Sequence, residues 1–189
     1  MSIRLTRPSS RALARLANAS ANDSLTYTPI GICSSVDVPR GYRIDRWSTN
    51  LGDGKAVFDT ATDAIRRWQP HRGAGLLVST DTPPSTGMIV AMAAPLPVGY
   101  IEAVCRVVLV VDEPDRFGFA YGTLPIHPEQ GEESFMVTRH DDDTVTFDIV
   151  AVSRPRHLLA RAVPPIARRL QHAAVNRYLE AMKCAVLAR

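Results

Sequence analysis

Residues 100–153 read YIEAVCRVVLVVDEPDRFGFAYGTLPIHPEQGEESFMVTRHDDDTVTFDIVAVS. Side chains on a strand alternate between the two faces of a sheet, so a period of two marks a half-buried strand. In Tyr100–Val111, the residues Ile101, Ala103, Cys105, Val107, Leu109 and Val111 share one face, while Glu102 and Arg106, with Asp112 just beyond, share the other. In Arg116–Thr123, Phe117, Phe119 and Tyr121 are opposed by Gly118, Ala120 and Gly122. Small residues along one side of a strand mark curvature or close passage of another backbone. Glu133–His140 and Thr144–Ser153 follow, the latter alternating Val145, Phe147, Ile149 and Ala151 with Thr144, Thr146 and Asp148. The connectors Asp112–Asp115 and Asp141–Asp143 have hairpin length and polarity. Sequential strands joined this tightly predict an antiparallel meander.

Upstream, Gly75–Ser79 and Gly87–Ala93 read as two further strands, and Tyr42–Leu51 as a first one closed by Gly52-Asp53-Gly54. Between them Lys55–Gln69 has a helical period. Ala56, Val57, Ala61, Ala64, Ile65 and Trp68 form one stripe, with Pro70 and Gly73 as the stop. Residues 25–40 hold Pro29, Gly31, Ser34, Ser35 and Pro39 and predict an extended lead-in. Downstream, Ser153 and Pro155 suit a helix start, and Pro164-Pro165 a break. A last helix over about 165–188 has Ile166, Leu170, Ala173, Ala174, Arg177, Tyr178, Ala181, Met182 and Ala185 on its inner side. At 1.5 Å per residue it is roughly 35 Å long, enough to cross a sheet. The expected class is α+β: a curved antiparallel sheet of six to seven strands wrapped on a long C-terminal helix. A gap between the two is where a ligand pocket would form.

The chain has 189 residues, 46% hydrophobic and 22% charged, the composition of a globular domain with a sizeable core. We expect a single domain over residues 25–189, preceded by a basic arm or short helix over 1–24 with Leu13, Leu16 and Ala17 on one face. Formal charge is +4 over residues 1–46, −8 over 47–153 and +7 over 154–189. Solvated basic ends beside an acidic body account for this pattern, and a peripheral membrane or acidic protein partner is the alternative. No nucleic-acid partner is expected, because there is no zinc-ligand spacing, aromatic RNA-binding motif or uninterrupted Lys/Arg run. The Arg- and Ser-rich start, without an acid before Asp23, also has the composition of a mitochondrial transit peptide. No apolar run is long enough for a transmembrane helix. Cys33, Cys105 and Cys184 are distant and odd in number, which argues against a disulfide framework and for a reducing, cytoplasmic setting.

Several stretches resemble a known family. They are Leu25-Thr26-Tyr27-Thr28-Pro29-Ile30-Gly31, Gly41-Tyr42, Gly52-Asp53-Gly54-Lys55-Ala56-Val57-Phe58, Trp68 with His71, Cys105-Arg106-Val107-Val108, and Ser153-Arg154-Pro155. The most specific stretch runs from Gly118 through Tyr121-Gly122-Thr123-Leu124-Pro125-Ile126-His127-Pro128-Glu129-Gln130-Gly131 to Glu132 and Glu133. Together they make the chain similar to the family called domain of unknown function 1990, within the START and Bet v 1-like superfamily. The similarity covers about residues 25–185 and departs at Ile126, where that family more often has Gly. It implies a helix-grip fold with a cavity and leaves the chemistry open, since superfamily members include lipid and hormone carriers, polyketide cyclases and small hydrolases.

Residues that could act on a ligand concentrate between Tyr121 and Glu133. Pro125 and Pro128 would stiffen a loop that aims His127 and Glu132 or Glu133 at a cavity mouth, where an imidazole beside a carboxylate can exchange protons near neutral pH. These three are the candidate catalytic residues; a stiff hairpin with solvated charges is the alternative. Trp68 and His71 either close the core or line one end of the pocket. Arg106 either pairs with Glu102 or binds a ligand anion. Phe117, Phe119 and Tyr121, with Tyr178 from the last helix, would supply walls. No metal site is expected, since His127 has no second His nearby. No cofactor is expected either, for there is no G-x-S-x-G, Walker A, H-E-x-x-H or G-x-G-x-x-G. Three readings follow: a carrier of a small apolar or amphipathic molecule, a cofactor-free cyclase, isomerase or hydrolase, and a regulatory protein docking through its basic last helix.

Overall fold

Four strands of the quoted stretch form the middle of an antiparallel sheet. The computed structural model describes residues 2–35, 37–156 and 164–188, with backbone alone over 164–172. In it β5 (Tyr100–Glu113), β6 (Arg116–Thr123), β7 (Glu129–Arg139) and β8 (Thr144–Pro155) are successive neighbours. β4 (Ile89–Pro95) and β3 (Leu77–Val78) extend the sheet beyond β5, and β2 (Arg43–Asp53) closes the other edge against β8. The order is β2-β8-β7-β6-β5-β4-β3, and a short β1 (Ser2–Arg4) pairs with β5 beside Tyr100–Glu102.

Alternation divides the sheet into two faces, with one exception. The register of β5 against β6 shifts between Val107 and Leu109. Val108 is thus an extra residue, a β-bulge, and beyond it the alternation inverts. Cys105 and Val107 lie in the core with Val110, whereas Leu109 is 40% exposed. The expectation that Leu109 and Val111 continue the Cys105 face is corrected by this one residue.

The inner face carries Phe117, Phe119, Tyr121, Phe135, Val137, Val145, Phe147 and Ile149. Onto it pack α2 (Lys55–Arg66) and α4 (Pro164–Leu187), the latter through Val175, Tyr178 and Met182. The helix expected over Lys55–Gln69 is two helices. Trp68 adopts a left-handed conformation (φ 58°) that stops α2, and α3 (Gln69–Gly73) restarts the chain at a new angle. The break precedes Pro70, which sits in the first turn of α3, where a missing N–H is harmless. It turns both Trp68 and His71 inward; each is fully buried. Gly73 lets α3 and α4 touch, since a Cβ there would lie 2.5 Å from Ala181 Cβ.

At the C-terminal end Ser153 and Pro155 do not start a helix. They extend β8, where Ser153 pairs with Gly131 and Pro155 with Glu129. The last helix begins at Pro164, and the inward positions assigned to Ile166 and Leu170 lie outside the described side chains.

The outer face is covered as well. α1 (Ser10–Ala19), capped by the Ser9 hydroxyl accepting from Ala12 N–H, packs Leu13 and Ala17 on Ala91, Ala93, Val104 and Leu124. The loop through Tyr27, Ile32 and Cys33 covers Val152. Gly122 lies beneath this loop: a Cβ there would come within 2.5 Å of the Tyr27 hydroxyl. Of the small residues of β6, Gly122 thus marks close passage of another segment.

Candidate functional site

Tyr121 and Glu133 are cross-strand partners on the inner face of β6 and β7. The Tyr121 hydroxyl donates to Glu133 Oε2 at 2.7 Å. His71 arrives from α3 and places Nε2 3.3 Å from the same hydroxyl. A phenol has one proton. While it goes to Glu133, His71 Nε2–H donates to the phenolic oxygen and Nδ1 is left as a bare acceptor. That Nδ1 is buried and has no hydrogen-bond partner.

The surroundings set the protonation states. Burial, and then the charge of Arg72, pull the His71 pKa down to about 3, so the imidazole is neutral. Burial pushes Glu133 up to about 7, against the stabilising Tyr121 hydrogen bond, and the carboxylate of Glu129 adds to the rise. Burial also raises Tyr121 and Tyr178, each near Glu133. One carboxyl that changes charge near neutrality thus sits among groups that keep theirs.

Rings fill the space between this chain and α4. The His71 ring centroid is 4.6 Å from Phe135, 5.2 Å from Tyr178 and 5.4 Å from Trp68. Beneath the described side chains of α4 the expected gap is therefore closed by aromatic packing; the part that would lie under residues 164–172 is outside the described side chains. Toward the other end of β7 and β8 the inner face turns polar. Ser153 donates to Glu129 at 2.7 Å, and Arg43 pairs with Asp45 at 3.1 Å on β2. Two clefts, of about 500 Å³ beside Arg7, Ser9 and Arg72 and about 380 Å³ beside Tyr27, Tyr42 and Arg154, open elsewhere on the surface. Among the described residues no group of three His, Cys, Asp or Glu could hold a metal ion.

Of the residues singled out in the sequence, Trp68, His71, Phe117, Phe119, Tyr121, Glu133 and Tyr178 meet on the inner face. Trp68 is anchored by its indole N–H donating to Thr82 O at 2.9 Å. Three others lie elsewhere. Glu132 points to the outer face, where it accepts from the Tyr27 hydroxyl (2.6 Å), Gly31 N–H (2.8 Å) and Cys33 N–H (3.2 Å). Arg106 is also on the outer face and donates to the carbonyls of Ala21 and Asp23. It does not pair with Glu102, because four residues along one strand are roughly 13 Å apart; Glu102 binds Ser2 and Arg4 instead. His127 sits in the β6–β7 loop and bonds the Glu129 backbone through Nδ1, with its pKa lowered to about 4 by burial. Sequence reading passed over Phe135, Ser153 as a partner of Glu129, and Tyr27. The signal for Phe135 was available, since it is two residues from Glu133 on the same face.

Comparison with known proteins agrees with this architecture. A UPF0548 protein of Deinococcus radiodurans is 29% identical over 185 residues, which cover 90% of this chain and 92% of that protein. Among solved structures, TTHA0849 of Thermus thermophilus matches with a TM-score of 0.55 at 12% identity, over 77% of this chain and 98% of that one. A truncated norcoclaurine synthase of Thalictrum flavum matches at 0.50 and 12% identity, over 82% and 98%. At such identities the likeness establishes the fold alone, a Bet v 1-like antiparallel sheet with a long C-terminal helix. The family described as domain of unknown function (DUF1990) matches residues 26–181, and the chain belongs to it.

Proposed function

We propose that the protein binds a small, largely apolar molecule carrying one polar, protic group, which enters between the inner face of the sheet and α4 by displacing the aromatic packing that closes this space in the structure. The observation that supports this reading is the buried His71 Nδ1 without a partner, at the end of a hydrogen-bonded chain inside an aromatic wall. An unsatisfied buried polar atom costs about 1–3 kcal/mol, so folded proteins seldom retain one without a use. Phe119, Phe135 and Tyr178 offer apolar contact, and Tyr121, Glu133 and His71 offer polar selection. The polar stretch beyond them, Glu129, Ser153 and Asp45, gives an amphipathic ligand a second anchor. Native mass spectrometry of freshly purified protein tests the reading. A retained small molecule that is lost in Tyr121→Phe supports it; a protein that carries nothing, and whose melting temperature no apolar or amphipathic compound raises, counts against it.

Cofactor-free acid–base chemistry is the second reading. It is favoured by the pairing of Glu133 with Tyr121, because a carboxyl titrating near 7 is suited to take and return a proton at physiological pH. In this reading Glu133 works with Tyr121 and His71, and His127 and Glu132 stand apart from the reacting group.

A further inference from the structure

The chain His71–Tyr121–Glu133 has two states in which every link carries one proton. With Glu133 ionised, Tyr121 O–H donates to Glu133, His71 Nε2–H donates to Tyr121, and Nδ1 is bare. With Glu133 protonated, a second state opens in which its O–H donates to Tyr121, the phenol turns its proton toward Nε2, and the imidazole proton sits on Nδ1. The imidazole is neutral in both, and the number of hydrogen bonds is the same. In this second state a proton added at Glu133 is read out at Nδ1, two groups away, as a switch from acceptor to donor.

From this geometry we infer that His71, Tyr121 and Glu133 form a proton relay with His71 Nδ1 as its outlet, which exchanges a proton with the hydroxyl, phenol or enol of a bound ligand. In the forward direction the ligand O–H bond breaks and its proton goes to Nδ1. The Nε2 proton passes to the Tyr121 oxygen, and the Tyr121 proton passes to the Glu133 carboxylate. The products are the ligand oxyanion, a neutral imidazole, a neutral phenol and a carboxylic acid; no electron is transferred, and the reverse steps return the proton. The ligand's part in this inference rests on the proposed binding site, whereas the relay itself does not.

The neighbours of Glu133 leave it free to switch. Among the described residues, the titratable groups near it are Tyr121 from β6, Cys105 from β5, His71 from α3, Tyr178 from α4, Glu129 from β7 and Cys33 from the loop on the outer face, while Asp45 and Arg43 of β2 act on Glu129. Cys105, Tyr121 and Tyr178 are held neutral by burial. Burial likewise prevents His71 from taking up a second proton near neutral pH.

The test is long-range ¹H–¹⁵N correlation of the full-length protein labelled with ¹⁵N-histidine, from pH 5.5 to 8.5, with His71 assigned by loss of its signals in His71→Gln. The expected result is a neutral His71 whose unprotonated nitrogen is Nδ1 at high pH and Nε2 at low pH, exchanging with a midpoint near that of Glu133. Tyr121→Phe and Glu133→Gln should each abolish the exchange, leaving one tautomer across the range. The relay is overturned if the tautomer of the parent protein does not change, if His71 becomes doubly protonated, or if the exchange persists in Tyr121→Phe. A ligand retained by a protein without tautomer exchange removes the relay and leaves the binding site. Exchange in a protein that never holds a ligand does the opposite.

Discussion

Glu132 and Glu133 are consecutive residues of one strand, and the two sides of the sheet treat them differently. On the outer side Glu132 is 3% exposed and its carboxylate receives three donors, two of them backbone N–H groups of the loop through Gly31 and Cys33. On the inner side Glu133 receives one donor, Tyr121, and the chain of bonds beyond it ends on an unpartnered nitrogen. A buried carboxylate with its acceptor sites occupied is a fastener, because every change to it leaves donors stranded. A buried carboxylate short of donors holds its proton more tightly, and burial accordingly lifts Glu133 to about 7. The contrast separates a structural from a chemical use of the same residue type.

Four measurements sharpen or break this contrast. Glu132→Ala should be the most damaging, since it strands the Tyr27 hydroxyl and two N–H groups at about 1–3 kcal/mol each; we expect a loss of about 3–5 kcal/mol in chemical denaturation. If it proved as mild as a surface change, the outer carboxylate would not be a fastener. Gly122→Ala comes next, with a loss of about 2–3 kcal/mol in the same assay, because its methyl group would press on Tyr27 2.5 Å away and lift the loop that Glu132 holds.

The inner side is expected to respond to pH instead. His71 has a folded pKa of about 3, below its usual 6.5, so the unfolded chain binds the extra proton and stability falls as pH drops through that window. Comparing unfolding at pH 7 and pH 4.5, His71→Phe should lose on the order of 2 kcal/mol less than the parent on acidification. An equal loss in both would show that His71 is not the acid-sensitive group. Glu133 runs the other way. Its folded pKa of about 7 lies above the usual 4.5, so the folded protein binds the extra proton, and the parent loses stability as pH rises from 4.5 to 7. Glu133→Gln should therefore be neutral near pH 4.5 and more stable than the parent by about 1–2 kcal/mol at pH 8, read as a higher melting temperature. A variant less stable than the parent at both pH values would make Glu133 a second fastener.

Much of the fold is legible in local pattern. β6 has the limits its alternation implies, Arg116–Thr123, and the last helix starts and stops within a residue or so of its expected ends. The departures come where one residue overrides a period: Val108 as a bulge inverts the second half of β5, and Trp68 in a left-handed conformation splits a continuous helical stripe. Both are invisible to averaging over a window, since neither changes composition. The candidate site was half legible. Phe117, Phe119 and Tyr121 share a face in any strand reading, and Glu133 falls on that face once β7 is paired in register. His127 is close to Glu133 in sequence, but the turn bonds it to its own backbone.

Alternating and helical periods, set by backbone geometry within a few residues, were enough by themselves to determine an antiparallel sheet, a long final helix and an aromatic inner wall. Only the tertiary structure decided which carboxylate is saturated with donors and which is left with one. The partners of Glu132 lie 99–105 residues away in sequence, and His71 reaches Tyr121 across 50. No local period encodes such meetings; they follow from which segment crosses which face, and burial at those crossings fixes the protonation of the groups that meet there.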